Sequence, residues 1–173
     1  AHDAALQMAT LGIRHLLVVD GQGVLQGVVS ERDLFSLQRL SLGQIRASID
    51  GANDVFGYQR SSDDIRKFAL QLIAQGVGAE QLTQFISALN DALTSRIIEV
   101  ESQLHAVQDL DFAWLAFGSE GRHEQTLSTD QDNGIIFATS DTAHIPDCRA
   151  RLLRFARAVN EDLAACGFPL YKG

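Results

Sequence analysis

The chain has 173 residues, 46% of them apolar, which is the length and composition of a globular protein with one ordinary domain or two small ones. Its formal net charge of −8 excludes the broad basic surface that nucleic-acid binding requires, and its two cysteines exclude a disulfide framework and favour a reducing compartment. Because no apolar run approaches the length of a membrane span and no signal-like segment opens the chain, we expect a cytoplasmic protein without nucleic-acid or membrane partners, and its abrupt start and end indicate a piece of a longer chain.

Residues 1 to about 40 predict the order helix, strand, strand, helix. The helical pattern "DAALQMATLG" stops at Gly12, "IRHLLVVD" and "VLQGVVS" are β-type runs, and "GQG" makes the turn between them. Two short strands and two helices leave an apolar face uncovered. We therefore expect this piece to pack against a second copy of the chain, which would make a homodimer, against another domain or against another chain.

From about residue 41 to residue 109, apolar residues recur at steps of three and four, which predicts amphipathic helices. "SSDD" at 61–64 is interpreted as a helix cap, and "QGVGAE" as a break between two helices. We interpret the stretch as a helical connector, because such stripes are usually core. The stripe consists of Ile65, Phe68, Ala69, Leu72, Ile73, Leu82, Phe85, Ile86, Leu89, Leu93 and Ile97.

A third segment begins near Leu110. "FAWLAFG" and "NGIIFAT" are buried-type strands on either side of a polar loop at 118–129. A long helix, "CRARLLRFARAVNEDLAAC", follows and ends at Gly167, after which "FPLYKG" would enter a further strand. The predicted fold class is therefore mixed α/β, and the chain divides at 1–40, 41–109 and 110–173.

Two aspartates, Asp130 and Asp132, stand just before the second of these strands. If the strand begins there, both carboxylates lie on one face with Cα atoms about 6.5 Å apart, a separation that a divalent cation can bridge. Carboxylate oxygens suit Mg²⁺, which takes other ligands from water and substrate phosphates. Gly118 and Ser119 offer close backbone approach and a hydroxyl to phosphate oxygens, and Arg122 adds a permanent cation. The competing interpretation is that these residues only solvate a loop, where Asp, Gly and Ser are common.

The run "FGSEGRHEQTLSTDQDNGIIF" resembles the signature of the DNA polymerase β-type nucleotidyltransferase superfamily. It most closely resembles the nucleotidyltransferases that bacteria attach to cystathionine-β-synthase (CBS) domains, which are similar to the N-terminal part of protein-PII uridylyltransferase. "NDALTSRIIEVE" and "CGFPLYKG" extend the resemblance over residues 41–173. It implies that Gly118 and Ser119 hold a nucleoside triphosphate, that Asp130 and Asp132 bind catalytic Mg²⁺, and that a nucleoside monophosphate passes to a hydroxyl of a protein or a small molecule.

The resemblance also implies roles for Arg122 and Glu124, namely phosphate contact and loop bracing. In one respect the sequence departs from the family, which uses a third carboxylate on a later strand. The acids that remain fall in a loop or on the predicted helix, so we expect that carboxylate beyond Gly173 and no catalysis from these residues alone. Those acids are Asp141, Asp147, Glu161 and Asp162.

Residues 27–35, "GVVSERDLF", resemble the second half of a CBS motif together with the preceding "GIRHLLVVDGQG". The resemblance implies that Ser30 contacts the phosphate and Asp33 the ribose of AMP or ATP. The same two residues have capping-box spacing, which explains them without a ligand. CBS motifs work in pairs, so a complete site needs a partner motif. The first hypothesis is thus a CBS-regulated nucleotidyltransferase; the alternatives are a catalytically silent adenine-nucleotide sensor and a purely structural or dimerising domain.

Overall fold

A computed structural model of the chain describes residues 8, 11–30 and 42–170. The chain forms two compact units, Ala1–Leu40 and Ser41–Gly173. Helices and strands occur together, so the predicted mixed α/β class is confirmed. In the part of the chain that the structure describes, no helix has the length and apolar content needed to cross a membrane.

Parts of three predicted elements lie outside the described residues. Of the predicted first helix and its stop, Met8, Leu11 and Gly12 are described. The first two are helical, and Gly12 has a left-handed φ of 63°, which agrees with the predicted stop. The predicted helix after Ser30, which includes Asp33, is outside them, and so are the last three residues of "FPLYKG". The first three residues of that run, 168–170, are described and form no strand. The predictions that fall outside the described residues therefore stay predictions.

The first unit contains an antiparallel hairpin of strand β1 (His15–Val19) and strand β2 (Leu25–Ser30). The turn between them is organised by Asp20, whose Oδ1 accepts hydrogen bonds from the backbone N–H groups of Gln22 at 2.9 Å and Val24 at 3.0 Å. These bonds, the one from Val24 first, hold the pKa of Asp20 below its ordinary value. Both predicted strands and the turn are confirmed.

The second unit begins with three helices, and the predicted apolar stripe forms part of its core. Most of that stripe is buried or half-buried, although Ile73 and Phe85 stay exposed at 46% and 38%. The "QGVGAE" break is confirmed, since Gly76 adopts a left-handed backbone with φ of 77° between the second and third helices. The helices are α1 (Leu42–Gly51), α2 (Val55–Ala74) and α3 (Ala79–Leu104).

The prediction that "SSDD" caps a helix is wrong. The cap of α2 is Asp54, whose Oδ1 accepts a hydrogen bond from the backbone N–H of Gly57 at 2.8 Å, so α2 starts six residues before the predicted cap. Ser61 is instead fully buried inside α2, with its Oγ 3.0 Å from the Oγ of Ser48 on α1. Two small hydroxyl residues that satisfy each other let the two helices pack closely.

Both predicted strands are present, and β3 (Asp111–Ala116) pairs antiparallel with β4 (Asn133–Ala138). The prediction that they are of the buried type is wrong, because every residue of both strands is half-buried or exposed. The long helix that follows is α5 (Ile145–Ala165). Phe155 of α5 is fully buried, and its ring lies 5.4 Å from that of Phe112 and 6.1 Å from that of Trp114, measured between centroids. Since both partners belong to β3, the helix covers one face of this two-stranded sheet.

A hydrogen-bonded carboxyl pair lies where α5 packs on α3. Burial is the first cause that raises the pKa of Asp162 to about 6, followed by the charge of Glu101 and the hydrogen bond with that residue. Glu101 is buried, with one carboxylate oxygen 3.3 Å from Nε2 of His105. Two carboxyl groups can share a hydrogen bond only while one of them keeps a proton, so the folded state favours protonated Asp162.

We predict that this pair makes stability fall with rising pH. A raised carboxyl pKa stabilises the folded state below the ordinary value of 3.8, and this contribution is lost as pH rises through about 6. Asp162→Asn mimics the protonated form and should raise the free energy of unfolding by about 1–2 kcal/mol at pH 7.5, but by little at pH 4.5. This figure is reduced for solvent screening, because Asp162 is only half-buried. Urea unfolding at both pH values measures this, with Asp63→Asn, at an exposed position of α2, as control. An equal gain at both pH values would contradict the prediction.

Candidate functional site

The sheet leads into a tight turn that two glycines make possible. After β3 the backbone turns at Gly118, which has a left-handed φ of 55°, into the short helix α4 (Gly118–Gly121). The N–H of Gly121 donates to the carbonyl of Phe117 at 2.9 Å. A Cβ on Gly121 would lie only 2.5 Å from the carbonyl oxygen of Ala116, so a side chain there would force the backbone apart.

The same turn brings the aspartates against the glycine. The N–H of Phe117 donates to the backbone oxygen of Asp132 at 2.8 Å, which continues the pairing of the two strands by one step. A Cβ on Gly118 would lie 2.7 Å from Oδ2 of Asp132. The carboxylate of Asp132 therefore occupies space that only a glycine at position 118 leaves open.

A cavity of about 340 Å³ opens at this point. Its lining contains four of the predicted site residues: Gly118, Ser119, Asp130 and Asp132. Strand β4 starts at Asn133 and not at Asp130, yet both aspartates are exposed while the intervening Gln131 is buried. The alternation expected of an extended segment thus places both carboxylates at one cavity.

Arg122 and Glu124 are not part of this lining. Arg122 pairs with Glu124, Nε to Oε2 at 2.8 Å, and both side chains are exposed. This contact is compatible with loop bracing by Glu124, while phosphate contact by Arg122 stays a prediction. Ser30 belongs to the hairpin of the first unit, where it lies opposite His15, and Asp33 lies outside the described residues.

Glu120 is a site residue that the sequence reasoning missed. It lines the cavity between the turn and the aspartates and is half-buried. Burial first, and then the charges of Asp91 and Asp132, raise the pKa of Glu120 above its ordinary value. The sequence feature that could have identified Glu120 is its place two residues after the glycine of the turn. Three carboxyl groups therefore share one small cavity.

The segment 118–129 is more than the polar loop that was predicted. Besides α4, it contains the side chains of Gln125 and Thr129, which are 2% and 8% exposed. Next to it, buried Gln131 donates through Nε2 to the carbonyl oxygens of Asn160 at 2.9 Å and Phe168 at 2.7 Å. Because glutamines are common on surfaces, the sequence did not indicate that Gln125 and Gln131 are buried and hold the loop in place.

The residues present fit a hard divalent cation. Carboxylate oxygens and a serine hydroxyl are its preferred donor types, and Asp130, Asp132 and Ser119 line the same cavity. Within residues 8, 11–30 and 42–170, however, no three His, Cys, Asp or Glu side chains are grouped closely enough to hold a metal on their own. A cation at this place would complete its coordination with water or with substrate oxygens.

Comparison with known protein families gives two matches. The family model described as "Putative nucleotidyltransferase DUF294" matches residues 63–173, and a CBS-domain model matches residues 1–39. No curated protein and no solved structure matches the chain. The first match covers more than half of the chain and includes the turn, the cavity and both aspartates.

Proposed function

Since the chain belongs to the DUF294 family of nucleotidyltransferases and carries a CBS domain, we propose that it moves a nucleoside monophosphate from a nucleoside triphosphate to a hydroxyl group with the help of Mg²⁺. In this reaction the acceptor hydroxyl loses its proton to solvent and its oxygen bonds to the α-phosphorus, the bond from that phosphorus to the oxygen bridging it to the β-phosphorus breaks, and pyrophosphate leaves. The observation that carries the proposal is the meeting of the Gly118–Ser119 turn with Asp130 and Asp132 at one cavity.

Each half of this cavity has its own task. The turn lets the backbone at Gly118 approach the phosphates closely, and the Ser119 hydroxyl donates to a phosphate oxygen. Asp130 and Asp132 hold Mg²⁺, which when bound neutralises phosphate charge and polarises the reacting phosphoryl group. Glu120 adds a third acidic side chain, and we infer that the cavity repels a triphosphate that arrives without the cation.

The CBS part supplies the regulation in this proposal. Ser30 would contact the phosphate and Asp33 the ribose of AMP or ATP, which makes the nucleotide at this unit a signal and not a substrate. The acceptor is a protein or a small molecule with a free hydroxyl group. Relatives with one core fold modify different acceptors, so the acceptor has to be identified by experiment.

We predict that nucleotide affinity at the cavity depends on Mg²⁺. Isothermal titration of ATP and of UTP into the chain, with and without Mg²⁺, measures this, and UTP is included because of the resemblance to uridylyltransferase. Affinity should rise at least about tenfold when Mg²⁺ is present, because the carboxylates repel the uncomplexed triphosphate. Binding of AMP or ATP without Mg²⁺ that is lost in Asp33→Ala would favour the silent sensor instead, and the absence of any nucleotide binding would contradict both.

A further inference from the structure

Helix α3 contacts the loop that follows the turn at Gly118 through two side chains one helical turn apart, Ser87 and Asp91. Ser87 is fully buried, and its Oγ accepts a hydrogen bond from the backbone N–H of Gln125 at 3.1 Å. Gln125 itself is 2% exposed, so this N–H has no access to bulk water. A contact between residues 38 apart in the chain therefore fixes the loop at Gln125.

Asp91 makes the second contact. Its Oδ2 lies 3.1 Å from Nδ1 of His123, and burial, opposed by the charge of His123, raises the pKa of Asp91. His123 has a left-handed backbone with φ of 55°, which costs free energy in a residue with a Cβ. Such a conformation persists where the surroundings hold it, and Asp91 is the neighbour that holds this side chain.

The part of the loop that α3 contacts, residues 123–125, is hydrogen-bonded directly to the turn. The N–H of Glu124 donates to the carbonyl of Ser119 at 2.8 Å, and the N–H of His123 donates to the carbonyl of Glu120 at 3.0 Å. One bond thus starts at His123, which α3 contacts, and the other at Glu124, which adjoins Gln125; both end on the backbone of residues whose side chains line the cavity. Displacement of Gln125 or His123 would move Ser119 and Glu120 as well.

We propose that Ser87 and Asp91 are positioning residues for the triphosphate: they fix the loop from α3, and so set the place of Ser119 at the cavity. Neither residue lines the cavity, so they position the loop and do not contact the nucleotide themselves. This inference rests on the proposed function, because phosphate binding at that cavity is part of the proposed function.

The physical reason is the cost of a buried donor without a partner. When the Ser87 hydroxyl is removed, the N–H of Gln125 stays buried and unpaired unless the loop shifts to admit water. A shift of the loop relieves that cost and changes the position of Ser119. The interactions with the phosphates should therefore weaken more than the interactions with the rest of the nucleotide.

The first measurement needs no nucleotide. Hydrogen exchange of the whole chain should become faster at residues 118–132 in Ser87→Ala and in Asp91→Ala, while the amides of β3 and β4 keep their protection. Thr83→Ala is the matched control, because the Thr83 hydroxyl donates only to the Glu80 carbonyl within α3, at 2.9 Å. Unchanged exchange in both alanine variants would overturn the inference.

The second measurement is the affinity for Mg·UTP compared with that for UMP. Ser87→Ala should raise the Kd for Mg·UTP about tenfold and change the Kd for UMP less than about twofold. Equal losses for both nucleotides would indicate general destabilisation and would also overturn the inference. If the unmodified chain bound neither Mg·ATP nor Mg·UTP while the exchange pattern changed as expected, the proposed function would fail and the support of the loop by α3 would stand.

Discussion

Replacing Asp130 and Asp132 together by asparagine is expected to remove Mg²⁺-dependent nucleotide affinity, with a rise in Kd of about 100-fold or more for Mg·ATP or Mg·UTP. Both side chains line the cavity and both are exposed, so the substitutions should leave the fold intact. An asparagine keeps the size of the side chain and one oxygen, but it loses the charge that a hard divalent cation requires. Titration calorimetry with and without Mg²⁺ measures the loss.

The control for this variant removes the same charge elsewhere. Asp63→Asn with Asp64→Asn also removes two adjacent negative charges, on α2, and should leave the affinity within about twofold. A comparable loss in both double variants would mean that the overall charge of the protein, and not a metal site, sets the affinity. Unchanged affinity in the Asp130, Asp132 variant would place the nucleotide somewhere other than this cavity.

The sequence predicted the elements around the cavity because their signals are local. Apolar runs predicted β3 and β4, and a glycine after the first run predicted a turn there. The Asp-x-Asp spacing predicted two carboxylates on one side, and the structure places both at one cavity with Gln131 buried between them. Each of these inferences needs only the chain within a few residues of the feature.

The features that the sequence did not reveal are contacts between distant residues. The bond from Gln125 to Ser87 and the bonds from Gln131 to Asn160 and Phe168 join segments 29 to 38 residues apart. Polar residues carry no periodic signal for such contacts, because a buried glutamine and a surface glutamine are the same letter. The support of the loop could therefore be found only in three dimensions.

The wrong helix cap has a related cause. "SSDD" and Asp54 both offer capping side chains, and local preference alone does not decide between them. Packing decides, because Ser61 fills a buried position against Ser48 and the helix continues through it. Where two local signals compete, tertiary contacts choose.

Replacing Gly118 by alanine is expected to damage the cavity from the turn side. The added Cβ would lie 2.7 Å from Oδ2 of Asp132, and the backbone there is left-handed with φ of 55°. The carboxylate of Asp132 must then turn away from the cavity, and we expect the Kd for Mg·ATP or Mg·UTP to rise at least about tenfold, together with about 1–2 kcal/mol of lost stability. Calorimetry and urea unfolding measure the two effects.

Gly76→Ala is the control that separates the two causes of the effects expected for Gly118→Ala, namely backbone strain and the steric clash with Asp132. Gly76 has a φ of 77°, but a Cβ there would meet no atom within 4 Å. This variant should lose about 1 kcal/mol through backbone strain alone and keep its nucleotide affinity. If Gly118→Ala lost no more affinity than Gly76→Ala, Asp132 would not depend on the space beside the turn. If only Gly118→Ala weakened Mg²⁺-dependent binding, the missing side chain at position 118 would be a functional requirement of the site, because it leaves room for the carboxylate that holds the cation.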